Sequence, residues 1–133
     1  MTEVYCDGGS RGNPGPAAYG FVIKKNGQIR KTGFGYLGIE TNNFAEYTAL
    51  IEALTWLQKD YPGEDLRVFL DSKLVVSQMS GIYKVKNAKI RDLVVKVRQL
   101  EPTFGKIIYQ YIPREQNKEA DSLVNRALDT RGI

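Results

Sequence analysis

The sequence predicts an α/β fold, one mixed sheet of five strands with helices on both faces, and three observations predict it. Alternating apolar runs near the start of the chain are joined by Asn26-Gly27, a two-residue hairpin signal that makes the opening strands an antiparallel meander. A long amphipathic stretch then separates the first strand from the apolar run Leu66–Leu70, and a connection of that length joins parallel strands. The full order, βββ-α-β-α-α-β-α, therefore places antiparallel strands at one edge and parallel strands at the centre.

Each element has its own signal. Residues 2–6 put Val4 and Cys6 on one face and Tyr5 on the other, and Asp7 follows at the strand end, where Gly8 and Gly9 free the backbone for a sharp turn. Ala17 to Lys25 repeats the alternation through Tyr19, Phe21 and Ile23, and Gln28 to about Leu37 forms a third strand whose Gly33 and Gly35 mark a bulge. Thr41-Asn42-Asn43 is a cap signal, behind which Tyr47, Leu50, Ile51, Leu54 and Leu57 recur at helical spacing until Pro62-Gly63. After the strand Leu66–Leu70, Asp71-Ser72 caps a short helix to about Ser80, and GIYKVKN at 81–87 is a basic connector. Ile90, Leu93, Val94, Val97 and Leu100 define the next amphipathic helix, stopped at Pro102. Lys106–Ile112 is the fifth strand, Pro113–Glu119 a polar loop, and Ala120, Leu123, Val124, Ala127 and Leu128 the apolar stripe of a closing helix.

A chain of 133 residues fits a single domain, residues 1–133, and buries about two thirds of its unfolded surface. One cysteine, Cys6, excludes an internal disulfide and reads as a small buried hydrophobe. No basic-then-apolar leader and no apolar run near ~18 residues is present, so a cytoplasmic protein is the expectation; a monomer is expected as well, though nothing in the sequence sets the oligomeric state. The absence of histidine removes the usual general base and zinc ligand and leaves hard oxygen donors, which favour magnesium or manganese.

Those donors are four acids at element boundaries: Asp7 at a strand end, Glu46 in the first turn of the long helix, Asp71 after the fourth strand and Asp121 in the first turn of the last helix. In a sheet of this order ligands bind beyond the carboxyl ends of the parallel strands, where Asp7 and Asp71 both fall. If the first and fourth strands are neighbours, their carboxylates lie about one strand spacing (~4.8 Å) apart, close to the separation in two-metal sites. Setting these four aside leaves 19 basic residues against 11 acidic ones. Such an excess suits a polyanionic partner, nucleic acid first.

The stretches DGGSRGNPGPAAYGFVI at 7–23, TNNFAEYTALIEAL at 41–54, DSKLVVSQMSGIYKVKN at 71–87 and PREQNKEADSLVNRAL at 113–128 closely resemble type 1 ribonuclease H, in that family's order and over nearly the whole chain. The resemblance implies a sheet ordered 3-2-1-4-5 and an endonuclease that hydrolyses the RNA strand of RNA/DNA hybrids with two Mg²⁺ ions, or Mn²⁺, and little sequence preference. It makes Asp7 the bridging metal ligand, Asp121 a ligand on the nucleophile side, and Glu46 and Asp71 ligands on the leaving-group side. Gly8, Gly9, Ser10, Asn13, Thr41, Asn42, Asn43 and Lys73 match substrate-binding positions, with Lys84, Lys86 and Arg91 as candidate phosphate contacts.

Three departures from the family pattern qualify it. The loop before Asp121 lacks the histidine that many relatives carry, leaving Glu115 or solvent for proton transfer or product release; Lys73 stands where glutamine is common; and the basic protrusion after the short second helix is missing, as in compact prokaryotic-type members. Double-stranded RNA as a further or alternative substrate, and a non-catalytic duplex-binding module, remain open on sequence grounds.

Overall fold

The computed structural model describes residues 1–82 and 84–131, so Tyr83 of the basic connector lies outside the described residues. Five strands, β1 (Thr2–Ser10), β2 (Gly15–Lys25), β3 (Gln28–Glu40), β4 (Leu66–Leu70) and β5 (Ile107–Tyr111), form one sheet in the order β3-β2-β1-β4-β5. The first two pairings from β3 are antiparallel; β4 lies parallel to both β1 and β5. The helices are α1 (Asn42–Asp60), α2 (Lys73–Met79), α3 (Ala88–Leu100) and α4 (Lys118–Asp129), with 3₁₀ turns at Glu101–Thr103 and Arg114–Gln116. No described helix is long and apolar enough to cross a membrane.

The sheet's two faces follow from strand parity. Val4, Cys6, Phe21, Ile23, Val68 and Leu70 point into the main core with Leu50, Leu54 and Leu57 of α1, Val75 of α2 and Val97 of α3. On the other face Ala18 packs with Val124, Ala127 and Leu128 of α4. The alanines Ala45, Ala49 and Ala53, all without exposed surface, let α1 lie low on the sheet. At 19 residues α1 spans about 28 Å, ample to return the chain from β3 to the start of β4.

β3 runs past Leu37 to Glu40, its register with β2 shifts between Ala17 and Ala18 and between Ile23 and Lys24 and not at Gly33 or Gly35, and α4 begins at Lys118, inside the expected loop. Two further departures from expectation matter to the site. β1 does not end at residue 6: it stays paired with β2 through Asp7↔Gly20 to Ser10↔Ala17, while its pairing with β4 stops at Cys6↔Leu70. The chain beyond Cys6 is therefore flanked by β2 on one side and open on the other. Gly8 serves this arrangement by close approach and not by a turn, since a Cβ there would lie 2.2 Å from the backbone carbon of Ala45. The second difference is Glu46. With Thr41 as N-cap, its hydroxyl accepting from the Phe44 N–H at 3.1 Å, Glu46 is the fifth helical residue and not part of the first turn.

Candidate active site

The notch left where β4 stops is a cleft of about 330 Å³ walled by Asp7, Glu46, Asp71 and Asp121 together with Gly8, Gly9, Ser10, Asn42 and Asn43. Strand β1 supplies Asp7, the residue after β4 supplies Asp71, α1 lowers Glu46 from one face and the first turn of α4 brings Asp121 from the other. One carboxylate oxygen each from Asp7, Glu46 and Asp71 lie within 4.8 Å of one another. Asp121 joins them in the wall of the cleft, its Oδ2 accepting from Asn125 Nδ2 at 3.4 Å.

Three acids held this close oppose one another's ionisation. Burial pushes Asp7 up to about 7, the carboxyl of Glu46 pulls it back, and the charges of Asp71 and Asp121 add to the rise. Glu46, only 3% exposed, is raised well above the usual carboxylate range by burial and then by Asp7. Asp71 is also raised by burial, against the lowering effects of its bond to Asn117 and of the nearby Arg114 guanidinium. Glu46 Oε1 accepts from the Gly8 N–H at 2.9 Å, but its Oε2 is buried with no partner among the described residues. A buried carboxylate oxygen without a donor, beside two further acids, fits a divalent cation with hard oxygen ligands.

Around the acids, the β1–β2 loop and the start of α1 are tied together. Asn42 Oδ1 accepts from Ser10 N at 2.8 Å and Ser10 Oγ at 3.0 Å, while Asn13 Oδ1 accepts from Asn42 N at 3.0 Å. Backbone N–H groups can only donate, so it is the oxygen of each carboxamide that makes these contacts. Thr41 is exposed at the helix cap.

Other expected residues stand apart from the cleft. Lys73, at the start of α2, places its ammonium 5.2 Å from the centre of the Tyr111 ring, and Lys84, Lys86 and Arg91 are exposed beyond it. Glu115 is not brought to the carboxylates: it lines a separate cleft of about 140 Å³ with Tyr5 and Lys24, because the 3₁₀ turn at Arg114–Gln116 sends successive side chains in different directions. Arg114 takes the place in the acidic cleft instead. Sequence reasoning passed over Arg114, Arg11, Ser72, Asn125 and the buried Asn117. Arg114 and Asn117 sit within the quoted PREQNKEA stretch, where an asparagine before a helix reads as an ordinary cap.

Fold and site define a class: an α/β chain with an acidic, metal-ready cleft beyond the ends of its parallel strands. Residues 5–127 match a family model described as reverse transcriptase-like. The chain is 42% identical to the N-terminal RNase H domain of Rv2228c from Mycobacterium tuberculosis, whose structure superposes with a TM-score of 0.92 over 96% of this chain and 93% of that one. LC11-RNase H1, solved in complex with an RNA/DNA hybrid, gives 40% identity and a TM-score of 0.91 over 97% of both chains. Ribonuclease HI of Halobacterium salinarum is 41% identical over 128 residues, 96% of this chain and 64% of that protein. This chain spans 35% of the length of the full mycobacterial protein. It belongs to the type 1 ribonuclease H family.

Proposed function

We propose that this protein hydrolyses the RNA strand of RNA/DNA hybrids, leaving 5′-phosphate and 3′-hydroxyl ends, with Asp7, Glu46, Asp71 and Asp121 holding two Mg²⁺ ions. The observation that carries the reading is the meeting of three carboxylate oxygens within 4.8 Å beside the partnerless Oε2 of Glu46. The likeness to LC11-RNase H1, which was solved with a hybrid, supports the substrate. When bound, the ions supply the Lewis acidity that activates water and offsets charge on the departing 3′ oxygen.

The chain's own residues do the rest. Asp7 would be the ligand shared by both ions, Asp121 would hold the one on the attacking side, and Glu46 with Asp71 would hold the one on the leaving side. The NH₂ groups of Asn13 and Asn42, with Asn43 beside them, donate to minor-groove acceptors and 2′-hydroxyls, and Thr41 meets a phosphate of the DNA strand; recognition of this kind reads groove shape without base sequence. Gly8, Gly9 and Ser10 allow the backbone to approach the duplex. Lys73, Lys84 and Lys86 contribute longer-range attraction to phosphates, which makes binding salt-sensitive.

An end-labelled hybrid incubated with Mg²⁺ or Mn²⁺ tests this, with double-stranded RNA in parallel. The RNA strand of the hybrid is expected to be cut, activity to vanish with excess EDTA and to return when Mg²⁺ is restored. Hybrid binding without cleavage in either metal would show a recognition module, and preferential cleavage of double-stranded RNA would change the substrate.

Arg114 lines the acidic cleft and its charge acts on Asp71. A guanidinium offers donors and no acceptor, so it balances charge in the loop where many relatives carry histidine. Arg114→Ala is expected to lower kcat by roughly 10–100-fold, somewhat less than loss of a sole oxyanion donor because the ions share the load. Glu115→Ala, facing the other cleft, should leave kcat near the parent value; steady-state kinetics of the two variants checks both.

A further inference from the structure

Asn117 holds the N-cap position of α4, where an asparagine ordinarily turns its side-chain oxygen onto the exposed N–H groups of the first turn. It makes no such bond. The residue is 1% exposed, and its Nδ2 donates to the Cys6 carbonyl at 2.8 Å and to Asp71 Oδ2 at 3.1 Å. Cys6 and Leu70 are the last partners in the β1–β4 ladder, and the residues after them are Asp7 and Asp71. One amide thus ties together the two strand ends that carry two of the acids.

Helix capping does not account for this choice. The first turn of α4 is left without a side-chain cap from Asn117, and Asn117 Oδ1 is buried with no partner among the described residues. Serine or aspartate at the same position would cap the helix, and a local rule broken twice at one residue marks a functional constraint.

We infer that Asn117 is a positioning residue that fixes the Asp71 carboxylate relative to Asp7, setting the spacing of the oxygen cluster. The inference rests on the reading of that cluster as a divalent-cation site. Its second hydrogen goes to the Cys6 carbonyl, so the amide cannot swing with Asp71 and acts as a rigid rest for it. Loss of such an outer hydrogen bond to a metal-ligating group typically weakens metal affinity by about 10–100-fold.

Asn117→Ser separates the two roles, because serine caps helices well but cannot span Cys6 and Asp71 together. Mn²⁺ binding is measured by calorimetry without substrate, alongside the thermal midpoint and the Mg²⁺ dependence of kcat. The Ser variant is expected to keep a parent-like midpoint, to bind Mn²⁺ about 10–100-fold more weakly and to need correspondingly more Mg²⁺ for half-maximal rate, with the hybrid KM at saturating metal unchanged. Asn117→Ala, lacking cap and bridge, should show the same metal shift with a lower midpoint, and in an Asp71→Asn background Asn117→Ser should add no further loss of affinity. Parent-like Mn²⁺ binding in either folded variant, or unfolding of both, would overturn the inference. Failure of the parent to bind Mn²⁺ any better than Asp7→Asn would instead overturn the metal-site reading beneath it.

Discussion

Asp7→Asn is expected to abolish cleavage and, at the same time, to make the metal-free protein more stable. The Asp7 carboxylate meets those of Glu46 and Asp71 within 4.8 Å, so losing it weakens the proposed metal site; several kcal/mol of lost charge stabilisation corresponds to a rate lower by at least roughly 10³-fold. Stability moves the other way because Asp7, 3% exposed, is pushed up to about 7 from a usual value of 3.8. A carboxyl that is harder to ionise when folded opposes folding once it is charged in the unfolded chain. That opposition begins as pH passes about 4, grows until about 7 and stays at its maximum above. Asparagine removes it, so at pH 8 in EDTA the variant should melt roughly 5–10 °C above the parent, and the difference should shrink toward pH 4. Melting curves across that range, with cleavage assays on the same samples, check both halves. A lower midpoint at pH 8 would mean that Asp7 stabilises the metal-free fold.

Gly8→Ala is expected to be the most damaging single-methyl change in the chain. The added carbon would stand 2.2 Å from the Ala45 carbon, 2.4 Å from its oxygen and 2.4 Å from the Glu46 nitrogen, all backbone atoms of α1. No rotamer change relieves such a clash, so α1 has to lift from β1, parting alanines that touch the sheet and stretching the Gly8 N–H bond to Glu46 Oε1. Overpacking of this kind costs about 3 kcal/mol or more, and the displaced Glu46 removes activity as well. The urea midpoint and the cleavage rate should both fall. Gly9→Ala, where the nearest atoms are 3.9 and 4.0 Å away, is the matched control and should be mild in stability. Equal stability of the two variants would refute the argument from close approach.

Much of this architecture is written in local pattern. The hairpin at Asn26-Gly27, the helical stripe from Tyr47 to Leu57 and the strand Leu66–Leu70 each follow from side-chain periodicity and turn chemistry, which depend on neighbours in sequence alone. Asp7 and Asp71 were equally legible, because an acid at the end of an apolar run is conspicuous whatever surrounds it; Glu46 was placed one turn too early in its helix.

The glycines after Asp7 misled for a physical reason. Locally, Gly8-Gly9 signals a turn; in the folded chain β2 carries the pairing on to Ser10 and α1 needs the missing Cβ at Gly8. Arg114 and Glu115 are adjacent and both charged, so only the direction of the 3₁₀ turn decides which of them enters the acidic cleft. Asn117 looks like a cap in the sequence and becomes a tie between two strand ends that are 64 residues apart in the chain. The sequence by itself determined which elements form, in what order, and which acids are available. Tertiary structure alone decided that β4 stops short of β1, which opens the cleft, and that the buried acids stand close enough to hold a cation, since both depend on contacts between distant segments.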